Sequence, residues 1–321
     1  NLATLLREHL HDDVQQLALQ RNRFPQLSDA DFRFFLQQIE GRQRTRDKLP
    51  TLAQKADWWY PVRLSCEQCS SEATACYKTQ IIQSFYSQPS TFDTFIDLTG
   101  GYGIDTFFMA QHAEQAHYVE RNAELCAIAE HNFSLYRPHI QIHNTTAEAF
   151  LASLPHHPLA QRPIGGTPSN STASNTLIYL DPARRSQSGG KVFRIEDCEP
   201  NIIELLDTLR SLSNTIIIKL SPMLDVTQAL ISMAGEWDVH IVAVKNEVKE
   251  ILLTSHPSRS QSNTSKASNL VHKEGKIYAT HLIPTPSQDD YEPIIFSFSK
   301  DEERDAQCQH YDSSKSHLLA S

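Results

Sequence analysis

The sequence predicts an α/β fold built on a parallel sheet with helices on both faces. From residue 94 onwards, short β-branched runs alternate with helical stretches, which is typical of strands joined by crossover helices. These runs are mostly apolar, as expected of strands that are buried on both faces. We expect strands at residues 95–98, 116–120, 140–143, 177–180, 216–220 and 239–244, with further strands at 276–283 and 293–299.

Residues 1–65 follow a different pattern, which predicts a small N-terminal domain that is mainly helical or α+β and docks the substrate. Apolar residues recur there at helical spacing, at Phe32, Phe35, Leu36 and Ile39. Gly41 is expected to end this helix. The main domain is predicted over residues 66–300, and a disordered or truncated tail over 301–321. The polar segments 155–175 and 255–269 are expected to be loops.

The composition excludes several classes of protein. The chain has 321 residues, of which 40% are hydrophobic and 21% charged, as in ordinary globular enzymes. It has no apolar run long enough for a membrane span, and we expect no signal peptide. Six cysteines are too few for a disulfide scaffold, so we expect a cytoplasmic protein. The net charge of −9 argues against a surface that is positive throughout, but it allows a local basic patch.

The segment TFIDLTGGYGIDTFFMA, residues 94–110, predicts a ligand site at the end of the first strand. This strand is expected to end at Asp97, and a helix to begin near Ile104 after a glycine-rich turn. Gly101 and Gly103 allow backbone conformations that other residues rarely adopt, and they let a ligand approach the main chain. Ligands of open α/β sheets bind at such carboxyl ends of strands.

The second strand is expected to end at Glu120, whose carboxylate can accept hydrogen bonds from both hydroxyls of a ribose. Dinucleotides and S-adenosylmethionine (SAM) both suit this arrangement. The dinucleotide fingerprint needs a third glycine or an alanine where this chain has Thr106, and Asp97 would repel a pyrophosphate. A carboxylate is suited instead to the sulfonium and ammonium groups of SAM. A purely structural turn is the simpler alternative.

A third acidic residue follows the predicted fourth strand, in the motif YLDPARR. Pro182 cannot continue the hydrogen-bond ladder of a strand. We therefore expect Asp181 to lie in the same crevice as Asp97 and Glu120. An ordinary Asp-Pro turn is the alternative, but an acid now recurs at the end of a third apolar strand.

Together, DLTGGYGID, VERN and YLDPARR resemble motifs I, II and IV of class I SAM-dependent methyltransferases. With EQCSSEATACYK upstream and VAVKNEVKEILL downstream, the chain is similar to a bacterial family whose methyltransferase domain lies between an N-terminal ferredoxin-like and a C-terminal THUMP-like domain. The resemblance covers roughly residues 1–300 and implies a Rossmann-like sheet and SAM as cofactor. We expect the THUMP-like part to be missing or truncated here.

The resemblance also implies roles for individual residues. The glycine turn and Asp97 would line the methionine end of SAM, Glu120 would hold its ribose, and residues 146–148 would lie beside its adenine. Asp181 and Pro182 would face the methyl group and the acceptor, and are the expected catalytic residues. The expected cofactor-binding residues are Asp97, Thr99, Gly101, Gly103, Asp105, Glu120, Ala147, Glu148, Ser71 and Thr74.

The acceptor is expected to be an RNA nucleotide. Basic residues that could contact phosphates lie in the N-terminal segment and after Pro182: Arg42, Arg44, Arg184, Arg185, Lys191 and Arg194. Enzymes that methylate exocyclic amines commonly carry an aromatic residue where this chain has Arg184. The Arg184 side chain could stack on a base or contact a phosphate, or it could form a structural ion pair with Asp181 or Glu196, so the methylated atom stays open.

Three other functions suit the sequence: a methyltransferase acting on a protein or small molecule, a non-catalytic SAM-binding module, and a dinucleotide-dependent oxidoreductase. We expect no metal, because Cys66, Cys69 and Cys76 lack the fourth ligand of a structural zinc site. The sequence does not predict the oligomeric state.

Overall fold

The computed structural model describes residues 2–85, 92–154, 175–184, 194–233, 235–255, 275–284 and 291–298. Strands and helices alternate along most of this part of the chain, and nine of its strands form one sheet. The α/β fold predicted from the sequence is therefore confirmed. The predicted loop 155–175 lies outside the described residues except for its last residue, and the loop 255–269 except for its first.

Each of the eight predicted strands is present, with both of its ends within three residues of the predicted positions. The strands are β1 (Phe92–Asp97), β2 (Ala113–Glu120), β3 (Ile140–Asn144), β4 (Thr176–Leu180), β5 (Ala183–Arg184), β6 (Cys198–Glu199), β7 (Thr215–Leu220), β8 (Asp238–Val244), β9 (Glu247–Ser255), β10 (Ile277–Pro284) and β11 (Tyr291–Phe298). Three of them, β5, β6 and β9, were not predicted. The short strands β5 and β6 pair with each other in a separate two-stranded sheet.

The α-helices fall into an N-terminal group and a group that connects the strands. They are α1 (Leu2–Glu8), α2 (Val14–Leu19), α3 (Asp29–Thr45), α4 (Pro50–Ala53), α5 (Arg63–Gln68), α6 (Glu72–Phe85), α7 (Ile104–Met109), α8 (Ala123–Tyr136), α9 (Ala147–Ser153), α10 (Ile202–Leu212) and α11 (Val226–Ser232). The hydroxyl of Ser71 accepts a hydrogen bond from the Thr74 backbone N–H and so caps the first turn of α6.

The order of strands in the large sheet is β11-β10-β8-β9-β7-β4-β1-β2-β3. Strand β1 pairs in parallel with β2 on one side and with β4 on the other. The chain therefore builds outwards from β1 in one direction and then returns to build in the other. Ligands of open α/β sheets bind outside the carboxyl ends of the strands at this topological switch point.

The sequence did not predict β9, which runs antiparallel between β7 and β8. A two-residue turn of Lys245 and Asn246 joins β8 directly to β9, and both residues have positive φ, at 52° and 62°. Two consecutive residues with positive φ are typical of the type I′ hairpin turn. This turn is hard to recognise from sequence because it consists of Lys-Asn instead of the usual Asn-Gly or Asp-Gly pair.

Helices cover both faces of the sheet, as the apolar strands predicted. Alternate side chains of β4 point to opposite faces. Leu177 and Tyr179 belong to a core cluster with residues of α6, α7 and α8. Ile178 and Leu180 belong to a second cluster with residues of α9, α10 and α11.

The described N-terminal residues are helical, and helix α3 runs straight through Gly41 to Thr45. The expectation that Gly41 ends this helix is wrong. A Cβ at Gly41 would lie 2.3 Å from the Cβ of Tyr60, so glycine is needed there for close packing. Tyr60 and Trp58 belong to the same core cluster as the first strand of the sheet. The domain boundaries expected from the sequence stay predictions.

Candidate functional site

A cavity of about 810 Å³ opens at the switch point of the sheet. It lies at the carboxyl ends of β1, β2, β4 and β7, where open α/β folds bind ligands. Three acids expected from the sequence, Asp97, Glu120 and Asp181, line this one cavity. Pro182 and the turn residues Thr99, Gly101 and Gly103 line it too.

The glycine turn forms one wall of the cavity. Gly101 has φ +54° and Gly103 has φ +84°, which are conformations that favour glycine. A Cβ on Gly103 would also lie 2.7 Å from the ring of Phe133. A Cβ on Gly101 would meet only the Thr99 carbonyl, at 3.8 Å. The turn is therefore held by its backbone conformation and leaves main chain exposed to a ligand.

Glu120 is held in place by two backbone N–H groups. Its Oε2 accepts a hydrogen bond from Gly101 N at 2.9 Å, and its Oε1 accepts one from Asn122 N at 2.7 Å. Each carboxylate oxygen has lone pairs for a further hydrogen bond. The carboxylate is therefore fixed in orientation, and both of its oxygens can accept from a ligand such as a vicinal diol.

Asp97 is almost completely buried at the base of the cavity. Its carboxylate accepts hydrogen bonds from Thr106 Oγ1 at 2.5 Å and from Thr99 N at 2.9 Å. Burial raises the pKa of Asp97 to about 7, although these two hydrogen bonds act in the opposite direction. The group therefore changes charge close to neutral pH, and a cation in the cavity would favour its ionised form.

Behind the cavity lies a buried ionic network. Lys78, whose side chain is 0% exposed, lies 3.1 Å from Asp105 Oδ1 and 2.6 Å from Glu250 Oε1. Asp105 also accepts hydrogen bonds from Tyr179 at 2.6 Å and from Ser70 at 2.7 Å. Burial acts to raise the pKa of Asp105, but the lysine charges and these hydrogen bonds outweigh it and lower the pKa to about 2. Asp105, which was expected from the sequence and lines the cavity, is therefore an ionised member of the network.

The network reaches the cavity through Lys219, at the end of β7. Lys219 Nζ lies 2.6 Å from Asp181 Oδ2, 3.1 Å from Ser70 Oγ and 3.8 Å from Asp105 Oδ2. Thr99 ties Asp181 to the glycine turn, because its hydroxyl accepts a hydrogen bond from Asp181 N at 2.5 Å. The ends of β1, β4 and β7 are thus linked by polar contacts.

The segment after β3 forms the far wall of the cavity, which Thr145, Thr146, Ala147 and Glu148 line. Thr146 caps α9 by accepting a hydrogen bond from Ala149 N at 3.2 Å. The structure thus brings the residues expected beside adenine to the same cavity as Glu120.

Two expected cofactor-binding residues lie elsewhere. Ser71 and Thr74 are not among the described residues that line the cavity, and their hydroxyls hydrogen-bond to each other at the start of α6. Their neighbour Ser70 lines the cavity instead. The two residues follow Ser70 into the first turn of the helix, which carries them past the cavity wall.

Two of the residues expected to contact phosphates have partners within the protein. Arg42 donates to the carbonyls of Ala53, Lys55 and Ala56, and Arg44 pairs with Glu40 at 2.8 Å. Both arginines are therefore engaged within the N-terminal helices. Arg194 is exposed and is not among the described lining residues. Arg185, Lys191 and the side chain of Arg184 lie outside the described part of the chain.

Sequence reasoning missed four members of the ionic network: Lys78, Tyr179, Lys219 and Glu250. A signal was present, since Lys219 interrupts the apolar run TIIIKL and Glu250 precedes the apolar run ILL. An isolated charge in a buried strand requires a partner. The partners could not be paired from sequence because they lie on different strands and helices.

Within the described residues, no group of three or more His, Cys, Asp or Glu side chains is arranged to hold a metal ion. No helix in that part of the chain is long and apolar enough to cross a membrane.

The comparisons with known proteins bear on the fold. No protein-family model and no curated protein matches this chain. The structure is similar to that of a "putative methyltransferase" from Porphyromonas gingivalis W83, with 28% identity and a TM-score of 0.72 over 97% of this chain and 67% of that one. The fold is therefore a Rossmann-like α/β fold of the kind found in methyltransferases.

Two other solved structures are much less similar. A "putative RNA methyltransferase" from Pyrococcus horikoshii has 10% identity and a TM-score of 0.38, over 78% of this chain and 94% of that one. An "rRNA Methylase" from Streptococcus thermophilus has 11% identity and a TM-score of 0.36, over 56% of this chain and 94% of that one. Neither is similar enough to inform on the function of this chain.

Proposed function

We propose that this protein is a SAM-dependent methyltransferase. The observation that carries the proposal is the fixed carboxylate of Glu120 at the glycine turn, with both oxygens able to accept from a ribose diol. Asp97, at the base of the same cavity, would favour the ammonium and sulfonium charges of SAM. The residues after β3 would contact adenine.

The same contacts weigh against a dinucleotide. Thr106, in the place of the third glycine, donates its hydroxyl to Asp97, so the carboxylate of a buried acid lies against the first turn of α7. The first turn of that helix carries Asp105. Nucleotide diphosphates bind where helix N-termini offer positive potential, and two nearby acids oppose that.

Bound SAM would supply a methyl group that its sulfonium already activates. The task of the protein residues is then to align an acceptor with that methyl carbon and to exclude water. Asp181 and Pro182 line the cavity beyond Asp97 and would contact the acceptor. Lys219 would hold the Asp181 carboxylate in position.

We further propose RNA as the acceptor molecule. Four basic residues follow Asp181-Pro182 within the next 12 positions of the sequence: Arg184, Arg185, Lys191 and Arg194. Basic residues beside an acceptor site suit a phosphate backbone, and binding through phosphates weakens steeply with salt. A protein or small-molecule acceptor would show a much shallower dependence on salt. The ferredoxin-like and THUMP-like domain arrangement stays a prediction.

Calorimetric titration of S-adenosylhomocysteine and, separately, of NAD into the purified protein tests the cofactor. We expect micromolar binding of S-adenosylhomocysteine that Glu120→Ala weakens by about 1.5–3 kcal/mol, because two charge-assisted hydrogen bonds are lost. Glu124→Ala is the matched control, since this exposed glutamate lies four residues further on and is not among the lining residues. Binding of NAD instead would support an oxidoreductase.

A further inference from the structure

The acceptor side of the cavity contains a lysine–aspartate pair that cofactor binding alone does not require. Lys219 and Asp181 both line the cavity, with their charged atoms 2.6 Å apart. The Lys219 side chain is 13% exposed and that of Asp181 is 38% exposed, so both are accessible to a bound molecule. Lys219 uses Asp181 Oδ2, and within the described part of the chain Asp181 Oδ1 has no side-chain partner.

A lysine in this position is unfavourable for SAM itself. The cofactor carries a sulfonium cation, and an ammonium group nearby repels it in a site of low dielectric. The chain nevertheless holds Lys219 at the cavity with Asp181, Asp105 and Ser70. Buried ionic networks rarely stabilise a fold more than apolar packing does. The cost of this arrangement suggests that Lys219 acts on the acceptor.

The hydrogen-bonding capacity of the pair distinguishes between acceptor groups. An ammonium group has three donors and no acceptor, whereas an ionised carboxylate only accepts. A hydroxyl can accept from Lys219 and donate to Asp181 at the same time, so it satisfies both. An exocyclic amino group of a base presents only N–H donors to Lys219, which is a donor–donor clash.

Methylation of a hydroxyl also requires a proton acceptor and a nearby cation, and Asp181 and Lys219 can supply them. The neutral oxygen of an alcohol is a weak nucleophile, and it must lose its proton as the new bond forms. A neighbouring cation stabilises the negative charge that develops on oxygen, and a neighbouring carboxylate takes the proton.

We propose that the acceptor atom is a hydroxyl oxygen, and in RNA therefore the ribose 2′-hydroxyl, which Lys219 and Asp181 contact as catalytic residues. This inference rests on the proposed function. The oxygen forms a bond to the methyl carbon, while the bond between that carbon and sulfur breaks. The electron pair of the broken bond stays on sulfur, which becomes the neutral thioether of S-adenosylhomocysteine. The hydroxyl proton passes to the Asp181 carboxylate and then to solvent.

The charges around Lys219 and Asp181 indicate which of the two is the cationic donor and which is the proton acceptor. Burial acts to lower the pKa of Lys219, but the charges of Asp181, Asp105 and Glu250 outweigh it and raise that pKa above its usual value. Lys219 therefore stays an ammonium donor at neutral pH, which leaves Asp181 as the proton acceptor. The titratable groups that face the pair are Lys78 on α6, Asp97 on β1, Asp105 on α7, Tyr179 on β4 and Glu250 on β9.

Lys78 and Glu250 are positioning residues in this scheme. They make no contact with the acceptor, but Lys78 binds Asp105 at 3.1 Å and Asp105 in turn faces Lys219 at 3.8 Å. Glu250 pairs with Lys78 from the opposite side, at 2.6 Å. Together they hold in place the negative charge of Asp105, which helps to keep Lys219 protonated. Glu250→Gln is therefore expected to shift the pH profile of kcat while leaving the KM for SAM unchanged, which a merely structural role would not produce.

The test uses the full chain, SAM labelled with tritium in its methyl group, and unmodified ribosomal and transfer RNA transcripts. A 2′-O-methyl group blocks alkaline cleavage of the adjacent phosphodiester, since that cleavage needs the free hydroxyl. We expect the label in alkali-resistant dinucleotides. Label in ordinary mononucleotides would place the methyl group on a base and would overturn the inference, while the proposed function would stand.

Substitutions of Lys219 and Asp181 test their catalytic roles. We expect Lys219→Met and Asp181→Asn to lower kcat by about 100-fold or more. Calorimetric binding of S-adenosylhomocysteine should stay within about threefold of wild type, which also shows that the variants are folded. Lys219→Arg keeps the charge and should retain more activity than Lys219→Met. Lys276→Met, at an exposed lysine outside the cavity lining, is the control.

The remaining outcomes separate the two proposals. If S-adenosylhomocysteine binds but no transcript is labelled, RNA as the acceptor fails and the 2′-hydroxyl fails with it, while SAM as the cofactor stands. If S-adenosylhomocysteine does not bind, the proposed function itself fails. Undiminished labelling by Lys219→Met would show that the lysine takes no part in the reaction.

Discussion

Trp58 Nε1 donates a hydrogen bond to the hydroxyl of Tyr102 at 2.7 Å, and that hydroxyl donates in turn to the Trp59 carbonyl at 3.0 Å. Tyr102 is the residue between the two glycines of the cavity turn. The N-terminal segment therefore supports the turn directly, through one buried and one partly buried hydrogen bond. This links the stability of the N-terminal helices to the geometry of the site.

We expect Trp58→Phe to destabilise the protein by about 1–3 kcal/mol, because it removes packing and leaves the Tyr102 hydroxyl without its donor. Urea denaturation followed by circular dichroism measures this change. Binding of S-adenosylhomocysteine should weaken in parallel. Trp59→Phe is the control, because phenylalanine can keep the stacking of residue 59 on His131. Equal effects of the two substitutions would contradict the support that we assign to Trp58.

Binding of SAM is expected to depend on pH through Asp97. Burial raises the pKa of this carboxyl to about 7, so half of it is protonated at neutral pH in the free protein. A cationic ligand binds the ionised form better, so the affinity should fall as the pH is lowered from 8 to 6. The fall approaches about tenfold per pH unit well below the pKa. Calorimetry at several pH values measures it.

Asp97→Asn provides the control for that experiment. Asparagine has a similar shape and carries no titrating charge. The variant should bind SAM weakly, with little change between pH 6 and 8. A variant that keeps the full pH dependence would show that another group is responsible.

The Asp97 carboxyl is also expected to affect the stability of the fold. Its effect on stability weakens as the pH rises, whereas binding of SAM is expected to strengthen. Its folded-state pKa is raised above the ordinary value of 3.8, so its contribution to stability is greatest at low pH and is lost as the pH rises to about 7. Asp97→Asn cannot lose this contribution. Between pH 5 and pH 8, the stability of the variant relative to wild type should rise by about 2.5 kcal/mol. Thermal unfolding across this range tests the sign, and a constant difference would contradict it.

Removing Lys78 is expected to be severely destabilising. The lysine is completely buried, and Lys78→Met leaves two buried acids, Asp105 and Glu250, without their shared cation. Breaking such a network costs about 3–5 kcal/mol. Lys249→Met is the matched control for stability, since its surface pair with Glu247 is worth less than about 1 kcal/mol.

A double substitution tests whether unpaired charge is the cause of that loss. Lys78→Met combined with Glu250→Met removes one of the two stranded acids. It should recover part of the stability that Lys78→Met alone loses, as urea denaturation would show. If the double variant loses as much stability as the two single variants lose together, the cause is lost packing rather than unpaired charge.

The strands that form the cavity could be predicted because their residues carry local signals. Asp97 and Glu120 each follow an apolar run, and the ends of neighbouring parallel strands meet at one edge of a sheet. The structure brings both acids to one cavity with Asp181. Their roles towards a cofactor stay predictions.

What the sequence could not reveal depends on contacts between distant residues. Lys78 and Glu250 are 172 positions apart, and nothing local to either one identifies the other. Strand β9 was missed because its hairpin turn uses Lys245-Asn246, which lacks the usual glycine. The resemblance implied Ser71 and Thr74 at the cavity, but the start of a helix is uncertain by one or two residues in a sequence, and the structure places their neighbour Ser70 in the cavity lining instead.

Thr99 serves the two halves of the cavity with different atoms. Its backbone N–H donates to Asp97 at 2.9 Å, while its hydroxyl accepts from the backbone N–H of Asp181 at 2.5 Å and donates only a long hydrogen bond, of 3.5 Å, to Asp97. Thr99→Val therefore keeps the backbone N–H contact to Asp97, which any residue can make, but it removes the 3.5 Å hydroxyl contact to Asp97 and leaves the Asp181 N–H without its acceptor. Under the proposed function, this one side chain links the cofactor side of the cavity to the acceptor side, and we expect its loss to lower turnover more than it lowers cofactor binding.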